Sequence, residues 1–392
     1  MRNIAVVLLL LGLALTSRAE TDSELIEAIR AKGTGTAESI LFFSQEERRV
    51  AFKSIEKIYP TREVRAGSNV YPLPSATRDL SGVTYTVDDK TYSLADFLAM
   101  PYSQGLIVVQ DGKVLLEHYD QNNSPSTRWI SFSVTKSVTS MLIGAAIADG
   151  YIDSVDEPVA NYLPRLRGTP YETATIENVL QMASGVKWDE TYADPESDVA
   201  KAGGANGIAL VNYLATLPAE HPPGEVFNYN TGETNLVGEI LRAAIGNNAS
   251  TYLEHKIWQP FGMEFDANWF LGGPGGGEAG GCCISATLRD YARIGLFAMH
   301  EGRLRDGTQV LPPDWMTKST TPSKGAPYYG YLWWLYGNGN YSAQGIFNQH
   351  IGIYPSQDLV IAAHSNAPAA VETDYGQHLS MAIRALAAAL GE

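Results

Sequence analysis

The pattern of apolar and polar residues along the chain predicts a mixture of strands and helices. Two apolar runs, 105–110 and 113–118, are joined by Asp111-Gly112, a pair typical of a tight β-hairpin. The stretch from Val138 to Ile147 is apolar on nearly every side, which indicates a helix inside the protein. Helical periodicity also appears in 176–182, 207–217, 233–245, 250–258, 287–300 and 376–390, and strand-like runs in 329–335, 350–354 and 359–364.

The order of these elements predicts an α/β (α+β) fold. Strands near both ends of the chain enclose a helical middle, so one antiparallel sheet must be assembled from distant segments, with helices packed on it. We expect a single domain over 20–392, with a sheet lobe from about 20–150 and 287–392 and an inserted helical lobe over about 151–286. A functional site is expected in the crevice between the lobes.

Residues 1–19 have the features of a cleavable secretory signal. A basic residue, Arg2, precedes an apolar run that ends at Leu15, and small residues precede Glu20. The run is too short to span a bilayer, so we expect a periplasmic or secreted protein without a membrane anchor. Loss of Arg2 and Arg18 would leave 26 basic residues (28 − 2) against 43 acidic ones, a charge of −17. Such a surface repels phosphate backbones and argues against a nucleic-acid partner.

The cysteines and histidines indicate no metal or organic cofactor. The two cysteines, Cys282 and Cys283, are adjacent, and two small buried thiols are favoured over a vicinal disulfide because disulfide geometry is demanding. The seven histidines do not cluster at metal-ligand spacing. The glycine cluster at 272–281 is interpreted as a loop, since it lacks the strand-then-helix context of a phosphate site.

The sequence Ser133-Val134-Thr135-Lys136, at the head of the apolar helix, carries the candidate chemistry. A serine hydroxyl needs a base within hydrogen-bond reach, and a lysine three residues along a helix lies on the same face. Burial would favour the neutral, proton-accepting form of Lys136. The helix start would also leave the backbone N–H of Ser133 free as an oxyanion donor. The structural alternative is a serine that only caps a buried helix.

The chain contains a second Ser-x-x-Lys sequence, and Tyr229 is a candidate partner for Ser133 and Lys136. Ser54-Ile55-Glu56-Lys57 has the same spacing but lies in a charged segment that is typical of a solvated helix face. Tyr229 lies in a turn that precedes a predicted helix, and a phenol beside a cationic amine ionises more easily. Lys136 and Tyr229 are therefore predicted to titrate as a coupled pair that passes one proton to and fro.

Four segments together resemble the superfamily of serine β-lactamases and penicillin-binding proteins. The similarity is greatest to its class C-like branch of esterases, D-aminopeptidases and 6-aminohexanoate-dimer (nylon-oligomer) hydrolases. The segments are 130–137 around Ser133, 175–185, 227–232 around Tyr229, and 287–293. This resemblance implies the β-lactamase/penicillin-binding-protein-like fold and a catalytic set of Ser133, Lys136 and Tyr229.

Two departures from the β-lactamase pattern accompany the matches. The chain has Tyr229-Asn230-Thr231 where those enzymes have Tyr-x-Asn, so Asn230 becomes the candidate substrate-binding amide. Where they carry a Lys-x-Gly strand, the chain has Ala343-Gln344-Gly345-Ile346, as in the nylon-oligomer hydrolases, and lacks a cation for the β-lactam carboxylate. The resemblance implies that the N–H of Ile346 is the second oxyanion donor, that Gly345 contacts substrate, and that Tyr192 closes over it.

These observations predict a secreted serine hydrolase that cleaves small ester or linear amide substrates through an acyl-enzyme on Ser133, with Lys136 and Tyr229 as proton relay. A β-lactamase or D-amino-acid peptidase of the same superfamily is the alternative within this chemistry. An alternative of another class is a non-catalytic protein that binds or senses a cell-wall fragment. Oligomeric state is left open.

Overall fold

The computed structural model describes residues 21–32, 38–120 and 122–391, and the side chains of 38 and 39 are not among them. The signal segment predicted over 1–19 lies outside the described residues. The helices are α1 Asp22–Ala31, α2 Glu38–Leu41, α3 Gln45–Ala51, α4 Leu94–Leu98, α5 Val134–Ala148, α6 Ile176–Leu180, α7 Asp198–Ala202, α8 Gly207–Leu214, α9 Thr231–Ile245, α10 Ala249–Leu253, α11 Gln259–Phe261, α12 Leu288–Met299, α13 Trp315–Ser319 and α14 Asp374–Leu390.

The strands are β1 Thr61–Val64, β2 Thr84–Val87, β3 Lys90–Ser93, β4 Ser103–Gln110, β5 Lys113–Tyr119, β6 Arg128–Ile130, β7 Ala267–Phe270, β8 Ile284–Thr287, β9 Trp334–Gly337, β10 Asn340–Gly345, β11 Gln349–Tyr354 and β12 Leu359–Ser365. A π-helical turn, Glu254–Trp258, joins α10 to α11. Among the described residues, no helix is long and apolar enough to cross a bilayer.

A six-stranded antiparallel sheet, in the order β5-β4-β12-β11-β10-β9, forms the centre of the fold. The predicted hairpin is confirmed: β4 pairs with β5, and Asp111 and Gly112 both have positive φ, 51° and 69°. Two successive residues with positive φ match the right-handed twist of the flanking strands. Strands from both ends of the chain therefore meet in one sheet, as the sequence predicted.

The two faces of the sheet are covered by different parts of the chain. Along β4, Ile107 and Val109 join the cluster formed with α5, α9 and α12, whereas Leu106 and Val108 join the cluster formed with α1, α3 and α14. This alternation follows from the two-residue period of a strand. Helix α5 is buried along almost its whole length, which confirms the interior helix predicted after Ser133.

A second antiparallel sheet, in the order β1-β7-β8-β6, leads the chain into α5. Strands β7 and β8 lie in the part of the sequence that showed only helical periodicity and a glycine loop, and sequence analysis missed them. Both strands are fully buried, so neither shows the alternation of a half-exposed strand. Their register places β8 beside β6, the strand that precedes Ser133.

Two sequence predictions are wrong in this part of the fold. Residues 329–335 do not form one strand: Leu332 has φ of 62° and turns the chain, and β9 begins at Trp334. Of the aromatic residues in this run, Tyr329 and Trp334 pack against Tyr229. The structure also joins Cys282 and Cys283 in a vicinal disulfide, where two buried thiols were favoured, and only Cys283 is buried.

Candidate active site

Ser133 lies at a sharp turn between β6 and α5. Phe132, directly before it, has φ of 45°, in the left-handed region, and is buried. Ser133 is the N-cap residue of α5, yet its side chain makes no capping hydrogen bond. The hydroxyl is thus not used to satisfy the helix, which removes the main structural reason for a serine at this position.

Lys136 lies one helical turn from Ser133, and its side chain is 1% exposed. The Nζ atom donates to the carbonyl oxygen of Gly281 at 2.8 Å and to the hydroxyl of Thr231 at 3.0 Å. Burial lowers the pKa of Lys136 to about 8, although the nearby Glu190 carboxylate acts in the opposite direction. A substantial fraction of the amine is therefore neutral near pH 7 to 8 and able to accept a proton.

Tyr229 lies over the same amine. Its ring centroid is 5.4 Å from the Nζ of Lys136, and the Ser133 side chain is near enough to the phenol to oppose part of the rise in its pKa. The indole ring of Trp334 stacks on it at 5.7 Å. Burial raises the pKa of Tyr229 well above its ordinary value, and the Glu190 carboxylate adds to the rise. The pKa of this phenol therefore moves opposite to the direction predicted from its cationic neighbour, because desolvation dominates.

The end of β10 approaches the turn that carries Ser133. A β-carbon added to Gly345 would collide with the carbonyl oxygen of Ser131 and lie 3.1 Å from the backbone nitrogen of Ser133. Only glycine permits this approach. Ile346 follows directly and lines the same cleft as Ser133. The structure thus brings together the two segments, 133 and 346, whose N–H groups the sequence analysis paired.

Asn230 does not occupy the position expected of a substrate-binding amide. Its side chain is fully buried, with Oδ1 accepting from the backbone N–H of Glu233 at 2.9 Å and Nδ2 donating to the Glu233 carboxylate at 3.2 Å. The expectation for Asn230 is corrected: it caps α9, and its amide groups are used inside the protein. The next residue, Thr231, faces the site and contacts Lys136.

Glu190 is the polar residue of the site that sequence analysis missed. Its carboxylate accepts hydrogen bonds from the Trp188 indole, the Tyr192 hydroxyl at 2.8 Å, and both the hydroxyl and the backbone N–H of Thr231. Tyr192 also lines the cleft, where its hydroxyl donates to Glu190; its closure over substrate stays a prediction. The available signal was the position of Glu190 two residues before Tyr192.

These residues open into a cleft of about 1030 Å³. Ser133, Glu190, Tyr192, Tyr229, Trp334, Gly345 and Ile346 form its inner part. Two large apolar side chains at its rim are exposed, Phe42 by 50% and Val371 by 49%. Thr191 and Glu372, which are also exposed, line the cleft as well, so its surface is mixed, with apolar contact area at Phe42 and Val371.

The second Ser-x-x-Lys sequence has no comparable surroundings. Ser54 is buried, Lys57 is exposed, and the segment Ile55–Lys57 is a 3-10 turn. The charged segment is helical in α3, where Glu46 is exposed, but Ser54 and Lys57 lie beyond the end of that helix. Within the described ranges, no group of three or more histidine, cysteine, aspartate or glutamate side chains is placed to hold a metal ion.

A serine on a turn before a buried helix, a buried lysine with a lowered pKa and a tyrosine ring over that lysine are the parts of an acyl-transfer site. The fold and the site define the class of a serine hydrolase. Comparison with known proteins gives the family.

The sequence profile described as Beta-lactamase matches residues 102–383, so the chain belongs to that family and is a serine hydrolase. It is 27% identical over 365 residues to the 6-aminohexanoate-dimer hydrolase of Paenarthrobacter ureafaciens, covering 86% of this chain and 91% of that protein. This finding confirms the resemblance inferred from the four segments.

Solved structures confirm the fold. The structure titled "Putative 6-aminohexanoate-dimer hydrolase from Bacillus anthracis" superposes with a TM-score of 0.75 at 21% identity, covering 87% of this chain and 93% of that one. A family VIII carboxylesterase superposes with a TM-score of 0.57 at 16% identity, over 72% of this chain and 92% of that one.

Proposed function

We propose that this serine hydrolase cleaves ester and linear amide bonds through an acyl-enzyme on Ser133. The observation that carries the proposal is the state of Lys136: its Nζ is held by Gly281 and Thr231, is removed from water, and lies one turn from a serine hydroxyl that no helix cap uses. Burial of the Lys136 amine has a desolvation cost that a structural role alone does not explain. A base with a lowered pKa beside an unused hydroxyl has a clear chemical role.

The first half-reaction follows from the hydrogen-bond pattern. Ser133 Oγ attacks the carbonyl carbon while its proton passes to the neutral amine of Lys136. The N–H groups of Ser133 and Ile346 stabilise the oxyanion, each by about 3 kcal/mol. Tyr229, a neutral phenol beside Ser133 and Lys136, gives its proton to the leaving oxygen or nitrogen and recovers one from the Lys136 ammonium. The alcohol or amine then leaves.

The second half-reaction uses the same groups in reverse. Water enters the position of the leaving group and loses its proton through Tyr229 to Lys136 as it attacks the acyl carbon. The tetrahedral intermediate collapses, the proton returns to Ser133 Oγ, and the carboxylic acid is released. Each proton taken up by Lys136 is thus returned within its own half-reaction.

The substrate class is proposed from what the cleft lacks and what it carries. Ala343 is buried where a β-lactam carboxylate would need a cation, and Asn230 faces away from the cleft. The exposed side chains of Phe42 and Val371 offer apolar contact area to an acyl compound with an extended hydrocarbon chain. A linear amide of this kind is the substrate in the name of the Paenarthrobacter relative. We also propose export from the cytoplasm, on the basis of the sequence of residues 1–19 alone.

The proposal is tested with a fluorophosphonate probe and with p-nitrophenyl acetate. Intact-protein mass spectra should show one phosphonyl adduct, mapped by peptide analysis to Ser133, and Ser133→Ala should lose both the adduct and ester hydrolysis. Ser54→Ala, the matched change in the other Ser-x-x-Lys sequence, should leave both unchanged. An adduct on Ser54, full activity in Ser133→Ala, or no adduct on the wild-type protein would overturn the proposal; the last result would favour the non-catalytic binder.

A further inference from the structure

We propose that Glu190 is a positioning residue of the proposed serine hydrolase. It accepts the hydrogen bond that the Thr231 hydroxyl donates, and thereby leaves the lone pair of Lys136 free for Ser133. The inference rests on the proposed function, because it concerns the base of that reaction. It extends the site by a residue that touches neither the serine nor the lysine directly.

The carboxylate of Glu190 acts only as an acceptor. All four groups that contact it, the Trp188 indole N–H, the Tyr192 hydroxyl, and the backbone N–H and hydroxyl of Thr231, supply a hydrogen. Arrangements in which every neighbour donates fit an ionised carboxylate, which has no hydrogen of its own. The Thr231 hydroxyl proton is therefore committed to Glu190.

This commitment decides the direction of the next hydrogen bond. A hydroxyl has one proton and two lone pairs, so Thr231 can only accept from Lys136, at 3.0 Å. The carbonyl oxygen of Gly281, at 2.8 Å, can also only accept. A neutral amine has two hydrogens and one lone pair. Both hydrogens of Lys136 are thus assigned, and within the described part of the chain no hydrogen bond is donated into its lone pair.

Without the Glu190 carboxylate, the hydrogen bond between Lys136 and the Thr231 hydroxyl can reverse its direction. The Thr231 hydroxyl would then lack its acceptor, and the lone pair of Lys136 is the acceptor within hydrogen-bond distance. A hydrogen bond into that lone pair would occupy the base in the ground state, and Ser133 would have to displace it. Glu190 therefore acts on the orientation of the base rather than on substrate.

The charges around the amine give a second, independent signature. The ionisable groups that face Lys136 or Glu190 are each other, Tyr192, Tyr229 and, beside Tyr229, Tyr329. The pKa of each of these tyrosines is raised by burial, so the three phenols are neutral. Glu190 is thus the group whose negative charge raises the pKa of Lys136, and its removal should lower that pKa.

A double-mutant cycle tests the proposal in the full-length protein, with kcat/KM for p-nitrophenyl acetate as the readout. Glu190→Ala should lower kcat/KM about 100-fold, within the range expected for general-base catalysis. In a Thr231→Val background the same change should cost less than about threefold, because no hydroxyl remains to be oriented. Thr231→Ser keeps the hydroxyl and should stay within about threefold of the wild type.

Two further measurements separate orientation from simple folding. The acid limb of the pH profile of kcat/KM should move to lower pH in Glu190→Ala, whereas a loosened 188–192 loop would not move it. Glu239→Ala removes a carboxylate from the same helix as Thr231, α9, outside the cleft and should change neither quantity. If Glu190→Ala does not fold, the cycle is run with Glu190→Asp, whose shorter side chain withdraws the carboxylate from Thr231 and keeps its charge; the cycle alone then decides.

The outcomes distinguish this inference from the proposed function. Equal losses for the Glu190 change in the wild-type and Thr231→Val backgrounds, with Ser133 still labelled by the fluorophosphonate, would overturn the role of Glu190 alone. Absence of labelling on the wild-type Ser133 would overturn the proposed function and this inference with it. A loss confined to the background that keeps the Thr231 hydroxyl would support the inference.

Discussion

The rings of Phe132 and Phe347 lie 5.3 Å apart, next to the two segments that carry the proposed oxyanion donors, Ser133 and Ile346. Phe132 precedes Ser133 and has φ of 45°; Phe347 follows Ile346 and has φ of 57°. Phe52 contacts both rings, at 5.0 and 5.3 Å. Two backbone turns with positive φ, far apart in the chain, are therefore held against each other by one buried aromatic cluster.

We predict that Phe347→Ala lowers kcat for ester hydrolysis about tenfold and destabilises the fold by about 3 kcal/mol. The cavity removes the support of the Ile346 segment, so one oxyanion donor moves out of position. Urea unfolding and kcat, measured at a temperature where the variant is folded, check the two effects.

Phe97→Ala provides the matched control for this prediction. Phe97 is equally buried but stacks on Tyr375, between α4 and α14, away from the cleft. It should lose similar stability and keep kcat within about twofold of the wild type. Equal losses of kcat in both variants would show that the cluster acts through stability alone.

The rate of ester hydrolysis should rise with pH around the pKa of Lys136. That pKa is lowered to about 8, so the amine is mostly protonated and inactive at pH 6 and mostly neutral at pH 9. Burial lowers the pKa of His350 to about 4 and that of His364 to about 3, so neither gives a limb in this range. A kcat/KM profile with its acid limb near pH 6.5 would contradict the assignment of the base.

Substrate ranking should follow the groups that the cleft lacks. An activated short-chain ester needs only the nucleophile and the oxyanion donors, so we expect it to have the highest kcat/KM. Linear amides, such as the 6-aminohexanoate dimer, also need the proton that Tyr229 donates and should come second. A cephalosporin should come last, because Ala343 supplies no cation. Cephalosporin turnover as efficient as that of p-nitrophenyl acetate would contradict this ranking.

Stability should depend on pH through Glu233, a buried residue of α9. Burial raises its pKa to about 8, whereas the unfolded chain has the ordinary value of 4.5. The folded state therefore holds a proton that the unfolded state releases, and the stability from this group is lost as pH rises from about 4.5 through 8. Glu233→Gln, which stays neutral, should gain Tm relative to the wild type between pH 5 and 8.

Thermal unfolding at several pH values checks this prediction. Glu239→Gln, a change at a partly exposed carboxylate of the same helix, controls for the general effect of removing a negative charge. A Tm difference between the wild type and Glu233→Gln that does not vary with pH would contradict it.

Local physics explains why the sequence by itself determined the Ser133–Lys136 pair, the interior helix and the β4–β5 hairpin. Ser133 and Lys136 are one helical turn apart, the apolar residues after them lie within the same helix, and Asp111-Gly112 has the positive φ values of a two-residue hairpin turn. Each of these features depends on neighbours in the chain, so its pattern can be read along the sequence.

Tertiary structure alone decided the protonation and the hydrogen bonds of the site. Burial decides that Tyr229 is neutral. The tertiary structure also decides that the Asn230 side chain faces the protein interior, that Thr231 instead faces the site, and that Glu190 accepts a hydrogen bond from Thr231. The acceptor for Lys136 at Gly281 comes from a loop that sequence reasoning treated as a connector. Desolvation and hydrogen-bond direction are set by three-dimensional neighbours, and residue types at fixed spacing do not encode them.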